Sequence, residues 1–166
     1  MAVSLNGVIA GEDGNEDFLS HDNWIEFTKI SNKIGCLIWG RKTYDSVKTW
    51  NKSYLESLSK VEKVILSRDP QMQLEKGFYL ASTPQLALEM LEKEGYKEVI
   101  LTGGSTNNSA FAKENLIDEI ILDIEPVIVG TGIPLFKPVN FINKLELLSS
   151  KSLSNGILQL HYSVVK

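Results

Sequence analysis

The chain has 166 residues, 43% of them hydrophobic and 23% charged, which suits one domain (1–166) with a sizeable core and excludes a disordered chain. Its 17 basic and 21 acidic residues give a net charge of −4. There is no basic block to attract nucleic acid or an anionic membrane, no run near the roughly 20 apolar residues of a membrane span, and no signal-peptide pattern at the N-terminus, so a cytoplasmic location is expected.

Met1 to Ile9 is a short apolar piece broken at Asn6-Gly7. Ala10 to Ser20 carries Gly11, Gly14, Asn15 and four acids and reads as a mobile loop. Ser20 or Asp22 is placed to cap a helix whose apolar residues Trp24, Ile25, Phe27 and Ile30 share one side. Cys36 to Trp39 is a continuous apolar run of the kind expected for a buried parallel strand. Cys36, the one cysteine, reads there as a small buried hydrophobe. The two histidines, His21 and His161, lie far apart and give no support to a zinc site, so no metal is expected.

Gly40-Arg41-Lys42-Thr43 follows that strand directly, and Tyr44 to Val47 continues as a helix. Val61 to Ser67 alternates as a strand and stops at Arg68-Asp69-Pro70; Gly77 to Ala81 is another. Thr83-Pro84 opens a helix to about Glu94, with a capping hydroxyl and proline in the first turn. Val99 to Leu101 is a strand ending in Thr102-Gly103-Gly104-Ser105-Thr106, and Asn107 to Asn115 a short helix. Ile117 to Glu125 is a strand, Pro126 to Pro138 a glycine- and proline-bearing loop, and Leu145 to Ser150 with Gly156 to Val165 a terminal antiparallel pair. Strands alternating with helices predict an α/β fold with antiparallel strands added late.

Gly40 to Thr43 and Gly103 to Thr106 share a layout: an apolar strand turns into a helix through glycine, beside hydroxyl or basic residues. Beyond the carboxyl end of a parallel strand, a helix start offers free N–H groups to a phosphate. Neither turn is a Walker loop or a full dinucleotide fingerprint, so spacing points to a nucleotide without identifying it.

At these residues the chain resembles the dihydrofolate reductase superfamily, closest to its riboflavin-biosynthesis (RibD C-terminal type) branch. The segments that carry the resemblance, in the family's order, are Ala2 to Ala10, Gly40 to Tyr44, Val64 to Arg68 and Thr102 to Ser105. It implies a three-layer fold, a central mostly parallel sheet flanked by helices with a C-terminal antiparallel strand pair. It also implies an NADPH-dependent reductase. Arg41 and Arg68, with Ser67, would hold the cofactor's 2′-phosphate, which suits the planar guanidinium fork. Lys42 and Leu66 belong to the same cofactor-binding motifs. Thr43 and the backbone of Gly103, Gly104, Ser105 and Thr106 would hold the pyrophosphate, Ala2 and Ile9 would line the nicotinamide slot, and Gly103–Gly104 would be a cis peptide.

Two departures matter. The acid that folate reductases carry in the helix before the Gly-Arg motif falls on Trp24 here, and the riboflavin branch's usual Asp before the first glycine is Asn6. Ile124 to Phe136 has the proline and glycine pattern of the riboflavin branch. Met1 falls where the family's first strand is already under way, so that strand is short or residues precede it. Along Ile117 to Glu125, alternation places Ile121, Asp123 and Glu125 on one face. Aligned with the family over Leu116 to Glu119, the chain places Asp123 beside the substrate heterocycle, so the resemblance makes Asp123 the candidate proton relay; Asp17 in the mobile loop is the rival donor, and Trp24, Phe27 and Asp123 are the substrate-side candidates. The leading expectation is reduction of a riboflavin-pathway aminopyrimidine ribose phosphate or related heterocycle by a monomer or homodimer. The alternatives are dihydrofolate reduction with a relocated acid and a catalytically silent nucleotide-binding protein.

Overall fold

The computed structural model describes residues 1–166. In chain order it contains β1 (Ala2–Ser4), β2 (Val8–Ala10), α1 (His21–Ile34), β3 (Cys36–Gly40), α2 (Arg41–Val47), α3 (Lys52–Ser57), β4 (Glu62–Leu66) and β5 (Phe78–Ala81). It continues with α4 (Pro84–Lys93), β6 (Ile100–Leu101), α5 (Ser105–Lys113), β7 (Glu119–Glu125), β8 (Ile133–Pro134), β9 (Lys144–Ser152) and β10 (Leu158–Val165). The chain forms two compact units: a terminal unit of Met1–Ile25 with Asn108–Lys166, and an inserted unit of Glu26–Asn107.

The inserted unit is built on a fully parallel sheet in the order β5-β4-β3-β6. All five residues of β3 are buried, as a continuous apolar run in a two-sided parallel sheet requires. Thr83 caps α4, its hydroxyl accepting from Leu86 N–H at 3.2 Å, and Ala87 and Leu91 bury one face of the helix. Tyr44 packs edge-on against Phe78 with ring centroids 5.0 Å apart, and its hydroxyl accepts from Glu75 N–H. Lys63 is also buried. Its ammonium donates to the carbonyls of Leu58 (2.7 Å) and Val61 (2.6 Å) and lies 5.8 Å from the centre of the Phe78 ring.

The terminal unit holds a mixed sheet in the order β1-β7-β10-β9, with β1 parallel to β7 and the other pairs antiparallel. The expected C-terminal pair is β9 and β10; all nine residues of β9 are exposed. A second, two-stranded sheet joins β2 to β8, which sequence reading left inside a loop because a two-residue strand containing Pro134 has no legible period. Gly132 is forced by this pairing, since a Cβ there would lie 2.5 Å from the Ala10 carbonyl oxygen and 2.5 Å from Val8 Cγ1. Asn6 ties the β1–β2 turn to the same loop. Its side-chain oxygen accepts from Val129 N–H and Ser4 Oγ, and its amide donates to the Val129 carbonyl. An aspartate would have no N–H for that carbonyl, which accounts locally for the departure at Asn6.

Helix α3 was also not anticipated: Asn51 caps it, accepting from Ser53 N–H, but it buries no residue and so leaves no apolar stripe. Of the two expected caps for α1, Ser20 is in the flanking position, whereas the Asp22 carboxylate accepts from Ser154 Oγ and Asn155 Nδ2, both at 2.6 Å.

Candidate functional site

Three turns follow β4, β3 and β6, adjacent strands of the parallel sheet, and so stand side by side at its carboxyl edge. Gly40 pairs with Leu66 in the sheet register. Gly40 N–H donates to the Gly103 carbonyl at 3.0 Å, and Thr102 N–H to the Ile38 carbonyl at 3.2 Å. These bonds bring together the two glycine turns that the sequence singled out. The approach is close: a Cβ at Gly40 would fall 2.8 Å from Asn107 Nδ2, so any larger residue there would displace the Asn107 amide. The Gly103–Gly104 peptide is cis, as the resemblance implied. The Thr43 hydroxyl faces Gly104, 3.8 Å from where a Cβ would stand.

The polar inventory at this edge is rich in donors. The first amides of α2, like those of any helix, have no intrahelical acceptor, and Gly40 supplies no side-chain cap for them. The hydroxyls of Thr102 and Ser105, on either side of the cis pair, are enclosed and have no hydrogen-bond partner in the protein. Buried hydroxyls without partners are uncommon and signal a missing acceptor. Ser67 is buried, and its hydroxyl oxygen accepts from Asp69 N–H, leaving its proton to donate. Arg68 and Lys42 are exposed. Arg68 forms no ion pair, whereas Arg41 is paired with Asp45 at 2.7 Å on the exposed face of α2. Such an exposed i,i+4 pair is weak, so it opposes recruitment of Arg41 by a phosphate only slightly. These residues fit an anionic dinucleotide. A depression lined by Lys60, Lys63, Glu75 and Phe78 lies at the opposite, amino-terminal edge of the sheet, where ligands of such sheets are not held.

In the terminal unit, Ala2 is half-buried in β1 and Ile9 buried in β2. Asp123 is not a solvated strand-end residue. It sits within β7, paired with Ala2 on one side and Gln159 on the other, and is only 6% exposed. Its Oδ1 accepts from Gln159 Nε2 at 2.7 Å. Asp17 is exposed, its carboxylate accepting from Asn15 Nδ2. Trp24 and Phe27 are half-buried on α1.

Sequence reading missed Glu125 as a site residue. It is 4% exposed, and its Oε1 accepts from Ser20 N–H at 2.6 Å and from Asn23 Nδ2 in a very short contact. The available signal was its spacing, two residues beyond Asp123 and on the same face; nothing in the sequence marked Asn23.

A parallel sheet with glycine turns at its carboxyl edge, helices on an α/β scaffold and a C-terminal antiparallel pair define the dihydrofolate reductase-like class of reductase folds. Within that class, residues 1–159 match the RibD C-terminal domain model, and the chain belongs to that family of reductase domains. It is 31% identical to the uncharacterized protein YwjB of Bacillus subtilis (strain 168), over 98% of this chain and 94% of that one. Among solved structures, a putative riboflavin biosynthesis protein from Shewanella sp. PV-4 superposes with a TM-score of 0.79 at 23% identity, covering 100% of this chain and 97% of that one. A pyrimidine reductase-like protein from Corynebacterium diphtheriae gives a TM-score of 0.76 at 16% identity, covering 99% and 90%. No helix is long and apolar enough to cross a membrane.

Proposed function

We propose that this chain is an NADPH-dependent reductase acting on a riboflavin-pathway aminopyrimidine ribose phosphate or a closely related heterocycle. The observation that carries the reading is the row of turns after β4, β3 and β6, with the enclosed, partnerless hydroxyls of Thr102 and Ser105 beside the Gly103–Gly104 turn. Family membership and the likeness to the pyrimidine reductase-like protein of Corynebacterium diphtheriae support the substrate class. NADPH would supply the hydride. Thr43, Ser105, Thr106 and the Gly103–Gly104 backbone would hold its pyrophosphate, and Arg68, Ser67 and Arg41 its 2′-phosphate. Hydride delivery to a carbon–nitrogen double bond also needs a proton. We assign its relay to Asp123, a buried carboxylate that Gln159 Nε2 holds through Oδ1.

The test is NADPH oxidation measured separately with the pyrimidine ribotide and with dihydrofolate. Turnover of the ribotide alone is expected. Turnover of dihydrofolate alone would replace the substrate assignment, and tight NADPH binding without turnover of either would make the chain a silent binding module. Asp123→Asn should lower kcat at least tenfold while NADPH affinity stays within twofold; wild-type turnover across the pH range would remove Asp123 from the mechanism.

A further inference from the structure

Asn107 stands in the first turn of α5 and is only 9% exposed. Burying an amide costs free energy unless its polar atoms find partners. Its Nδ2 donates to the Gly103 carbonyl, a long contact at 3.4 Å. Its backbone N–H donates to the Gly104 carbonyl at 2.9 Å. One residue thus holds both carbonyls of the glycine pair. The Gly103 oxygen also accepts from Gly40 N–H at 3.0 Å, so two donors converge on it and one of them comes from the neighbouring turn.

The same amide lies against Gly40. The three atoms nearest to a Cβ built there all belong to Asn107: Nδ2 at 2.8 Å, Cγ at 3.4 Å and Oδ1 at 3.6 Å. Reversing the amide would set its oxygen against the Gly103 carbonyl oxygen, so the hydrogen bond fixes which end faces the turn. Glycine is the least restrained residue. A glycine pair left to itself would offer its amides to a ligand in many orientations, and ordering them on binding would cost affinity. A peptide is one rigid plane, so holding the Gly103 carbonyl also fixes the Gly104 N–H in that plane.

We infer that Asn107 is a positioning residue for the pyrophosphate site. By holding both carbonyls of the glycine pair and filling the space beside Gly40, it sets the two turns in one arrangement before the ligand arrives. It is also the residue that imposes glycine at position 40. The inference rests on the cofactor reading for the identity of the ligand. Acting through the turns, Asn107 governs cofactor binding and not the chemical step.

Two measurements test this. In the first, Asn107→Leu keeps the bulk of the side chain and removes its donor. The dissociation constants for NADPH and NADH should both rise about fivefold, with their ratio unchanged because the pyrophosphate is common to both. At saturating NADPH, kcat should stay within about twofold, and Tm within a few degrees of wild type. In the second, Gly40→Ala is made alone and together with Asn107→Ala. Alone it should lower Tm sharply; in the Asn107→Ala background most of that loss should vanish, since the added methyl takes the vacated space.

Unchanged dissociation constants in folded Asn107→Leu overturn the inference and leave the cofactor reading standing. A rise for NADPH alone also overturns it, because that places the effect at the 2′-phosphate. If Asn107→Leu does not fold, Asn107→Ala supplies the same two constants. Additive Tm losses in the Gly40 pair overturn the inference as well. Wild-type protein that binds neither cofactor removes the cofactor reading and the inference together. If NADPH oxidation fails with every heterocycle while the shared rise persists, the reductase reading falls and the positioning role stands.

Discussion

In the inserted unit the buried charge is Lys63, whose ammonium donates to two backbone carbonyls and faces the Phe78 ring. In the terminal unit the buried charges include Asp123 and Glu125, each accepting its protein hydrogen bonds on one oxygen, and the Met1 ammonium beside Asp123, which donates to the Ile121 carbonyl. Burial is similar in the two regions; the completeness of the partner set differs. Lys63 behaves as scaffold, joining the end of α3 to β4, whereas each carboxylate takes its protein hydrogen bonds on one oxygen and keeps the other for solvent or a ligand. A buried charge by itself therefore says little about function, and the informative observation is which of its valences remain open.

The sharpest test of that contrast is Lys63→Met. It leaves the two carbonyls without their lysine donor, and one of them, Leu58, keeps only its bond from Val61 N–H. A loss of about 2–3 kcal/mol in unfolding free energy is expected, with NADPH affinity unchanged, whereas Asp123→Asn should move stability by less than about 1 kcal/mol. Chemical denaturation of both variants decides the matter, and comparable losses would break the distinction. Burial holds the Lys63 ammonium below the free value of 10.5, with Glu62 opposing the shift. Between its folded value and 10.5 the unfolded chain binds more proton, so this group makes stability rise with pH there. The Met variant should lack that rise.

Arg68→Ala is expected to have a smaller effect, confined to the cofactor. Arg68 is exposed and has no ion pair, so its removal should raise the dissociation constant for NADPH about tenfold and leave that for NADH unchanged. Equal affinities for the two cofactors in the wild type would end the 2′-phosphate assignment. Smallest of all should be the effect of Cys36, buried with its thiol donating to the Glu98 carbonyl. Burial, and secondarily Glu62, push that thiol from 9.0 up to about 11. A water-soluble maleimide at pH 7.5 should leave the folded protein unlabelled for hours and label the denatured chain within minutes. Between pH 9.0 and about 11 the folded state holds the extra proton, so Cys36 makes stability fall as pH rises, opposite in sign to Lys63.

Much of this architecture is legible from the sequence because parallel strands are read from continuous apolar runs and α4 from its cap and proline. Cys36 to Trp39, Thr83-Pro84 and the two glycine turns each state their role locally. What was hidden depends on partners distant in sequence. Asn23 joins Glu125 across 102 residues, Asn6 joins Val129 across 123, and β8 exists because β2 pairs with it. Strand alternation grouped Asp123 with Ile121 and Glu125 and the family resemblance singled it out, but its burial between β1 and β10 depends on pairings that periodicity does not encode. Helix α3 escaped for the opposite reason: it buries nothing, and a helix without an apolar stripe leaves no pattern.

Gly130 and Gly132 lie two residues apart in one loop and look interchangeable as letters. A Cβ at 130 would meet nothing within 4 Å, whereas one at 132 would collide with the backbone of Ala10 and the side chain of Val8. In a saturation library selected for folded protein, position 130 should return a broad set of residues and position 132 glycine alone. The short β2–β8 ribbon thereby makes one of two neighbouring glycines irreplaceable and leaves the other open to evolutionary drift.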